Sequence, residues 1–250
     1  MTTIHVVLPI YNEASSLPAL FENLDKYLKE LEGRGYQSRY VLCDDGSRDD
    51  SAKIIKEHSE VWPTKIVTHE TNKGLGTTLR DGLWAALEDS KEEDLVVTMD
   101  ADNTHPADLM LSMEEEIKAG ADVVIASRYR EGADVVGLSA FRKFMSWGAR
   151  VCFQFVFPIP GLRDYTCGYR MYRVSLLKKA FDHYGKDFIE YSGFHAMADV
   201  LLRLARFSPK IAEVPMVLRY DLKGGASKMA VGATVLKTLQ MMLKRRFFDK

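Results

Sequence analysis

Five short runs rich in apolar and β-branched residues, at 4–8, 40–43, 65–68, 95–99 and 123–126, read as strands. Between them, residues 17–31, 50–58, 76–87 and 107–119 carry apolar positions at the three- and four-residue spacing of amphipathic helices. Strands that are apolar on both faces and alternate with helices predict an α/β architecture, a mostly parallel, Rossmann-like sheet sandwiched by helices. In such sheets a ligand sits beyond the carboxyl ends of the strands.

The polar clusters fall at those ends. Tyr11-Asn12-Glu13 follows the first run, Asp44-Asp45-Gly46-Ser47 the second, Asp100-Ala101-Asp102 the fourth and Ser127-Arg128-Tyr129 the fifth. Turns favour Asp, Asn, Gly and Ser for backbone reasons alone, so one such loop means little. Four on one rim predict a site. After Gly132 the pattern changes: residues 138–163 and 228–250 combine Phe, Trp, Leu and Met with scattered Lys and Arg, as basic amphipathic helices do. The ordinary fate of such helices is to bury the apolar stripe against the sheet. A membrane surface is the alternative.

Composition narrows the classes. The 250 residues, 46% of them hydrophobic, suffice for a full core, and 34 Lys and Arg against 35 Asp and Glu leave a formal charge of −1. That balance gives no overall basic field, so nucleic acid is not expected as a partner and any anion site must be local. The three cysteines form no Cys-x-x-Cys pair, which argues against a zinc knuckle or a disulfide framework. The apolar run at 4–8 is too short for a signal peptide, and no uncharged run approaches the roughly 20 residues that span a bilayer. The expected location is cytoplasmic, peripheral on the inner face of a membrane if the basic helices dock there.

The stretch VVTMDADNTHP, residues 96–106, admits two chemistries. Asp-x-Asp-x-Thr after an apolar strand matches the nucleophile motif of dehalogenase-type phosphatases, whereas Asp-x-Asp alone matches a clamp for a divalent cation. The phosphatase motif closes the first strand of its fold; here it closes the fourth, and the acidic pair Asp44-Asp45 precedes it. The order of elements favours the clamp. VVLPIYNE, VLCDDGSRDDS, NKGLGTTLRDG, VVTMDADNTHP, IASRYREGA, RDYTCGYRMYR and EVPMVLRYDLKGGASKM succeed one another along the chain. This succession resembles glycosyltransferase family 2, and within it the branch of dolichyl-phosphate mannose synthases and polyprenyl-phosphate glycosyltransferases.

The resemblance implies a GT-A domain over residues 1–228, with an acceptor- or membrane-interface insert at 138–160 and a basic C-terminal helix at 229–250. It implies that Asp102, with Asp100, holds Mg2+ or Mn2+, and that Asp100 also meets the nucleotide. Pro9, Tyr11 and Glu13 would hold the base and Asp44 the base or ribose, with Asp45, Ser47 and Asp49 shaping that nucleotide-binding loop or else only capping the following helix, and Lys73 would meet a phosphate at a helix amino end. Arg128 would stabilise the departing diphosphate; Arg142, Ser146, Arg170, Lys223 and Lys228 would surround the acceptor or donor phosphates. His105 is a possible further ligand, although a lone histidine beside a helix start is more often a turn residue.

Three positions depart from the branch: Thr104 stands where relatives carry Gln, Asp199 where Glu is common, and Leu222 where an Arg precedes Gly-x-Ser-Lys, with Arg219 and Lys223 nearby to supply the charge. The implied reaction is inverting transfer of a hexose from a nucleotide diphospho-sugar, of GDP-mannose or UDP-glucose type, to a polyprenyl phosphate. A phosphate monoester, ionised at neutral pH, needs no catalytic base. Transfer to a sugar, protein or small-molecule hydroxyl would need one, with Asp164 or Asp199 as candidates; a non-catalytic scaffold is the third reading.

Overall fold

The computed structural model describes residues 1–222 and 231–247. Along the chain run β1 (Thr3–Ile10), α1 (Leu17–Gly33), β2 (Gln37–Asp44), α2 (Ser51–Ser59), β3 (Thr64–Thr68), α3 (Leu75–Glu88), β4 (Leu95–Thr98), α4 (Leu109–Lys118) and β5 (Val123–Ser127). They continue with β6 (Asp134–Val136), α5 (Ala140–Val156), β7 (Arg170–Arg173), α6 (Val174–Tyr184), α7 (Ala196–Ala205), β8 (Ile211–Pro215), β9 (Val217–Arg219) and α8 (Val231–Phe247). All nine elements expected in the first half are present, with ends shifted by at most three residues.

Seven strands form one sheet in the order β3-β2-β1-β4-β7-β5-β8. Only β7 runs antiparallel, to both β4 and β5. The strands β1, β2, β4 and β5 are buried almost throughout, as a sheet covered on both faces requires. Close packing of α3 on the sheet depends on Gly82: a Cβ there would lie 2.5 Å from Cys43 Sγ and 2.7 Å from Val7 Cγ1. Parallel pairing of β1 with β2 and β4, and the antiparallel β7 between β4 and β5, bring the ends of β1, β2, β4 and β5 to one rim. Among the described residues, two of the three non-glycine residues with positive φ, Asn12 and Asn103, sit in the loops after β1 and β4 on that rim. Asparagine tolerates this left-handed backbone better than most residues.

Helix α5 overturns the expectation that its apolar stripe packs on the sheet. Phe153 is its single fully buried side chain, while Phe141, Phe144, Trp147, Val151 and Phe155 are exposed. Helix α8 buries Met241 and Met242 and leaves Leu236, Leu239, Leu243 and Phe247 exposed. Among the described residues no helix is long and apolar enough to cross a membrane.

Candidate active site

The loops after β1 and β2 are stitched together by short polar side chains. Ser47 Oγ accepts from Asn12 N, Ser51 Oγ from Glu13 N, Asp49 Oδ2 from Ala14 N, and Asn12 Oδ1 from Arg48 N, at 2.7–3.0 Å. These bonds fix the backbone that presents Tyr11 and Glu13. Asp44, buried at the end of β2, accepts from Ser47 N at 3.0 Å. Asp45 points the other way: its carboxylate accepts from Lys73 N at 2.8 Å and Gly74 N at 2.9 Å, and lies 2.7 Å from His69 Nδ1. His69 Nε2 in turn lies 3.1 Å from Asp81 Oδ2.

Asp45 thus braces the loop before α3, and the amides expected to meet a phosphate already serve that brace. The Lys73 side chain lines a cavity of about 390 Å³ with Arg80, Asp81, Trp84 and Lys186. Gly74 has φ of +88°, and a Cβ there would come within 2.7 Å of Ser192 O, so the 190–195 segment closes directly over this loop.

At the end of β4 Asp102 is buried, and Thr104 donates to its Oδ1 from both Oγ1, at 2.7 Å, and N, at 3.2 Å. His105 Nδ1 accepts from Asp100 N at 3.2 Å, and its ring stacks on Tyr169. His105 therefore shapes the turn. No group of three His, Cys, Asp or Glu side chains gathers for a metal among the described residues. Two carboxylates on one strand-end loop still suit a hard divalent cation that takes its remaining oxygens from a diphosphate and water, so the donor set fits Mg2+ or Mn2+.

The opposite wall is the 164–168 turn. A Cβ on Gly168 would lie 3.5 Å from Asp100 Oδ1, which places the turn against the acidic loop. At its other end Asp164, fully buried, accepts from Arg128 Nε at 2.8 Å and Nη2 at 2.7 Å, and Thr166 Oγ1 accepts from the same Nη2 at 2.6 Å. Burial opposes both charges, but each partner outweighs it: Arg128 is pushed above the ordinary arginine range and Asp164 below the ordinary aspartate range. Arg128 is thus a permanent cation in one fixed rotamer, its side chain about one-fifth exposed at 19%.

Tyr129 carries this loop to α5. Its hydroxyl is 2.5 Å from Ser146 Oγ, and Arg150 lies over its ring. Arg142, one turn before Ser146, is half-buried and makes no side-chain ion pair among the described residues. Contacts through the 164–168 turn and Tyr129 link the acidic loop of Asp100 and Asp102 to Arg128 and Ser146.

With this geometry in hand, the family model described as Glycosyl transferase family 2 matches residues 5–181. The chain belongs to glycosyl transferase family 2. It is 31% identical over 245 residues to an undecaprenyl-phosphate mannosyltransferase from Micrococcus luteus, covering 96% of this chain and 94% of that one. It is 29% identical over 238 residues to a dolichol-phosphate mannosyltransferase from Pyrococcus furiosus, covering 95% of this chain but 62% of the relative's length. Among solved structures, glucosyl-3-phosphoglycerate synthase from Mycobacterium tuberculosis, in complex with Mn2+, UDP and product, superposes with a TM-score of 0.67 at 19% identity, over 98% of this chain and 80% of that one. That likeness shows the GT-A fold.

Other expected residues of this glycosyltransferase fall elsewhere. Arg170, expected beside the phosphates, is fully buried in β7 and donates from Nη2 to Tyr165 O at 2.9 Å. It holds the 164–168 turn from below. Arg219, expected to replace the missing arginine at Leu222, pairs with Asp221 at 2.7 Å. Lys223 and Lys228 lie outside the described residues. Asp199, fully buried on α7, is paired with Arg245 of α8, whose Nη2 is 2.8 Å from Asp199 Oδ2. Thr166, Glu213 and Arg245 were missed; Glu213 had a signal, a lone acid inside the apolar EVP run.

Proposed function

We propose that this glycosyltransferase moves a hexose from a nucleotide diphospho-sugar to a polyprenyl phosphate at a membrane surface, with inversion. One observation carries the choice of acceptor. Asp164 and Asp199, the two carboxylates placed to act as base for a hydroxyl acceptor, are both fully buried and bound by arginines, Arg128 and Arg245. A base must reach the acceptor and take up a proton; burial denies both carboxylates the first, and the Arg128 guanidinium, which holds Asp164 below the ordinary aspartate range, denies Asp164 the second. A phosphate acceptor needs none, because its second pKa of about 6 leaves it ionised at neutral pH. The names of the Micrococcus and Pyrococcus relatives accord with a polyprenyl-phosphate acceptor.

In this reading Tyr11, Glu13 and Asp44 receive the nucleoside on the stitched β1 and β2 loops. Asp100 and Asp102 hold the cation, with Thr104 fixing the orientation of Asp102. Bound there, Mg2+ or Mn2+ would supply positive charge to the leaving diphosphate. Arg128, pre-set by Asp164 and Thr166, offers a second cation without reorganising during the reaction. Arg142 and Ser146 draw the acceptor phosphate toward the anomeric carbon from the α5 side. The exposed Phe141, Phe144, Trp147 and Phe155 of that helix enter the lipid interface, where a polyprenyl chain is anchored.

The test pairs a panel of nucleotide sugars with a short polyprenyl phosphate, with and without chelator, for wild type and Asp102→Asn. Transfer from one donor that both chelation and the substitution abolish is expected. Full activity in Asp102→Asn would overturn the metal assignment.

A further inference from the structure

Among the buried acids that the rim residues described above do not account for, Glu213 stands directly behind the 164–168 turn. Glu213 lies on β8, the edge strand, opposite Ile125 of β5, and its side chain is 1% exposed. Its Oε1 accepts from two consecutive backbone amides, Arg163 N at 2.8 Å and Asp164 N at 2.7 Å. Its Oε2 is 3.0 Å from Arg130 Nε, and Arg130 Nη2 donates to Gly161 O at 3.1 Å. Asp164 then accepts from Arg128 N, Thr166 N and Cys167 N as well as from the Arg128 guanidinium. An unbroken series of contacts runs from Arg130 through Glu213 and the 163–164 backbone to Asp164 and Arg128.

We infer that Glu213, backed by Arg130, is a positioning residue that sets the rotamer of Arg128 by fixing the 163–164 turn from behind. The inference rests on the reading of Arg128 as the cation beside the departing diphosphate. A carboxylate is used because one oxygen, with two lone pairs, can accept from both amides at once. The arrangement is costly: burial pushes the Glu213 carboxyl above the ordinary glutamate range, against the pull of the two amides and Arg130. A fully apolar residue there would strand two buried N–H groups, which is destabilising, yet packing alone would be served by many residues that could not hold the turn. Catalysis is sensitive to such placement, since a displacement of about 1 Å at a positioning element costs about 100-fold in rate. Glu213 touches neither substrate nor the proposed cation.

The test is a double-mutant cycle on the full chain with Arg128→Met and Glu213→Met, beside Glu213→Gln, in the polyprenyl-phosphate assay. Gln keeps a carbonyl oxygen for both amides but turns an N–H toward Arg130 and loses that ion pair, so its loss of kcat is expected to match that of Arg130→Met and to be smaller than that of Glu213→Met. Glu213→Met is expected to lower kcat about 10- to 100-fold and to weaken binding of the free nucleoside diphosphate, while binding of the nucleoside without phosphates, which does not reach Arg128, stays unchanged. The double variant is expected to be no slower than Arg128→Met alone. Multiplying effects, or a Glu213→Met enzyme of wild-type kcat, would overturn the inference. Full activity in Arg128→Met would instead overturn the reading beneath it. If Glu213→Met does not fold, Arg130→Met, on a side chain one-third exposed, takes its place. A loss of kcat of at least about threefold without loss of binding of the phosphate-free nucleoside is then expected, and an unchanged kcat would contradict the role.

Discussion

Helices α5 and α8 are alike in sequence, each 17 residues long, with an apolar stripe and basic side chains. The structure uses them differently. In α8 two of the four basic residues face the protein while Lys237 and Arg246 are exposed: Arg245 pairs with Asp199 and Glu190, Lys244 pairs with Glu190, and both lie over Tyr191. Its Met241 and Met242 fill the core beneath. In α5 four of the five aromatic residues face out, all but Phe153, and Arg142 makes no ion pair among the described residues. The same composition gives a latch in one helix and an accessible cationic, aromatic face in the other. Where the acids sit decides between them: α7 and the segment before it supply Asp199 and Glu190 to α8, whereas the acid nearest α5's basic residues is Asp134, 4.0 Å from Lys143.

Breaking the latch should produce the largest effect. Arg245→Met leaves Asp199 buried and charged without its principal partner, a loss of about 3–5 kcal/mol for a buried pair broken from one side. Thermal unfolding should show a fall of several degrees or more, whereas Arg142→Met should leave the midpoint unchanged and raise KM for the acceptor. The outward face is next. Phe144→Asp with Trp147→Asp removes two side chains worth about 1.5–3 kcal/mol each on burial, so vesicle co-sedimentation should fall about 100-fold or more. The matched pair on α8, Leu239→Asp with Leu243→Asp, should cost less; equal losses would erase the distinction.

Smaller effects come from salt and pH. Raising ionic strength should reduce binding to anionic vesicles a few-fold, while the Asp199–Arg245 pair, buried on both sides, should hold. The Lys244 hydrogen bond, with help from Arg245 and Arg203 and against burial, lowers the Glu190 pKa. A carboxylate with a lowered folded pKa contributes stability that is present above its ordinary value and lost as pH falls through the lowered one. The latch should therefore stay closed at pH 5 and weaken in stronger acid. Hydrogen exchange in α8 across that range would show it, and protection that rose on acidification would contradict it.

The first half of the fold was legible because its strands are apolar on both faces and its helices keep one period. Strand β7 was hidden, since Arg-Met-Tyr-Arg places a charge at each end of a four-residue central strand. Only tertiary contacts reveal that Arg170 is buried there. The acidic loop and Arg128 were legible from their positions after β4 and β5. Asp45 was not, because nothing in Asp-Asp-Gly-Ser tells which carboxylate faces the rim and which turns back to the 73–74 amides. Thr104 marked a departure from the branch; its hydroxyl bond to Asp102 became visible only in three dimensions. Composition likewise could not separate α5 from α8, because the acids that decide their roles are far away in the chain.

The central claim is that the acceptor brings its own negative charge and the protein supplies no base. It is tested most directly by offering the enzyme, with its preferred nucleotide sugar and Mg2+ or Mn2+, a short polyprenyl phosphate and the matched polyprenol at equal concentration. Product from the phosphate alone is expected, with a rate that falls as pH drops through about 6, where the phosphate takes up its second proton. Comparable transfer to the alcohol, lost in Asp164→Asn or Asp199→Asn, would contradict it.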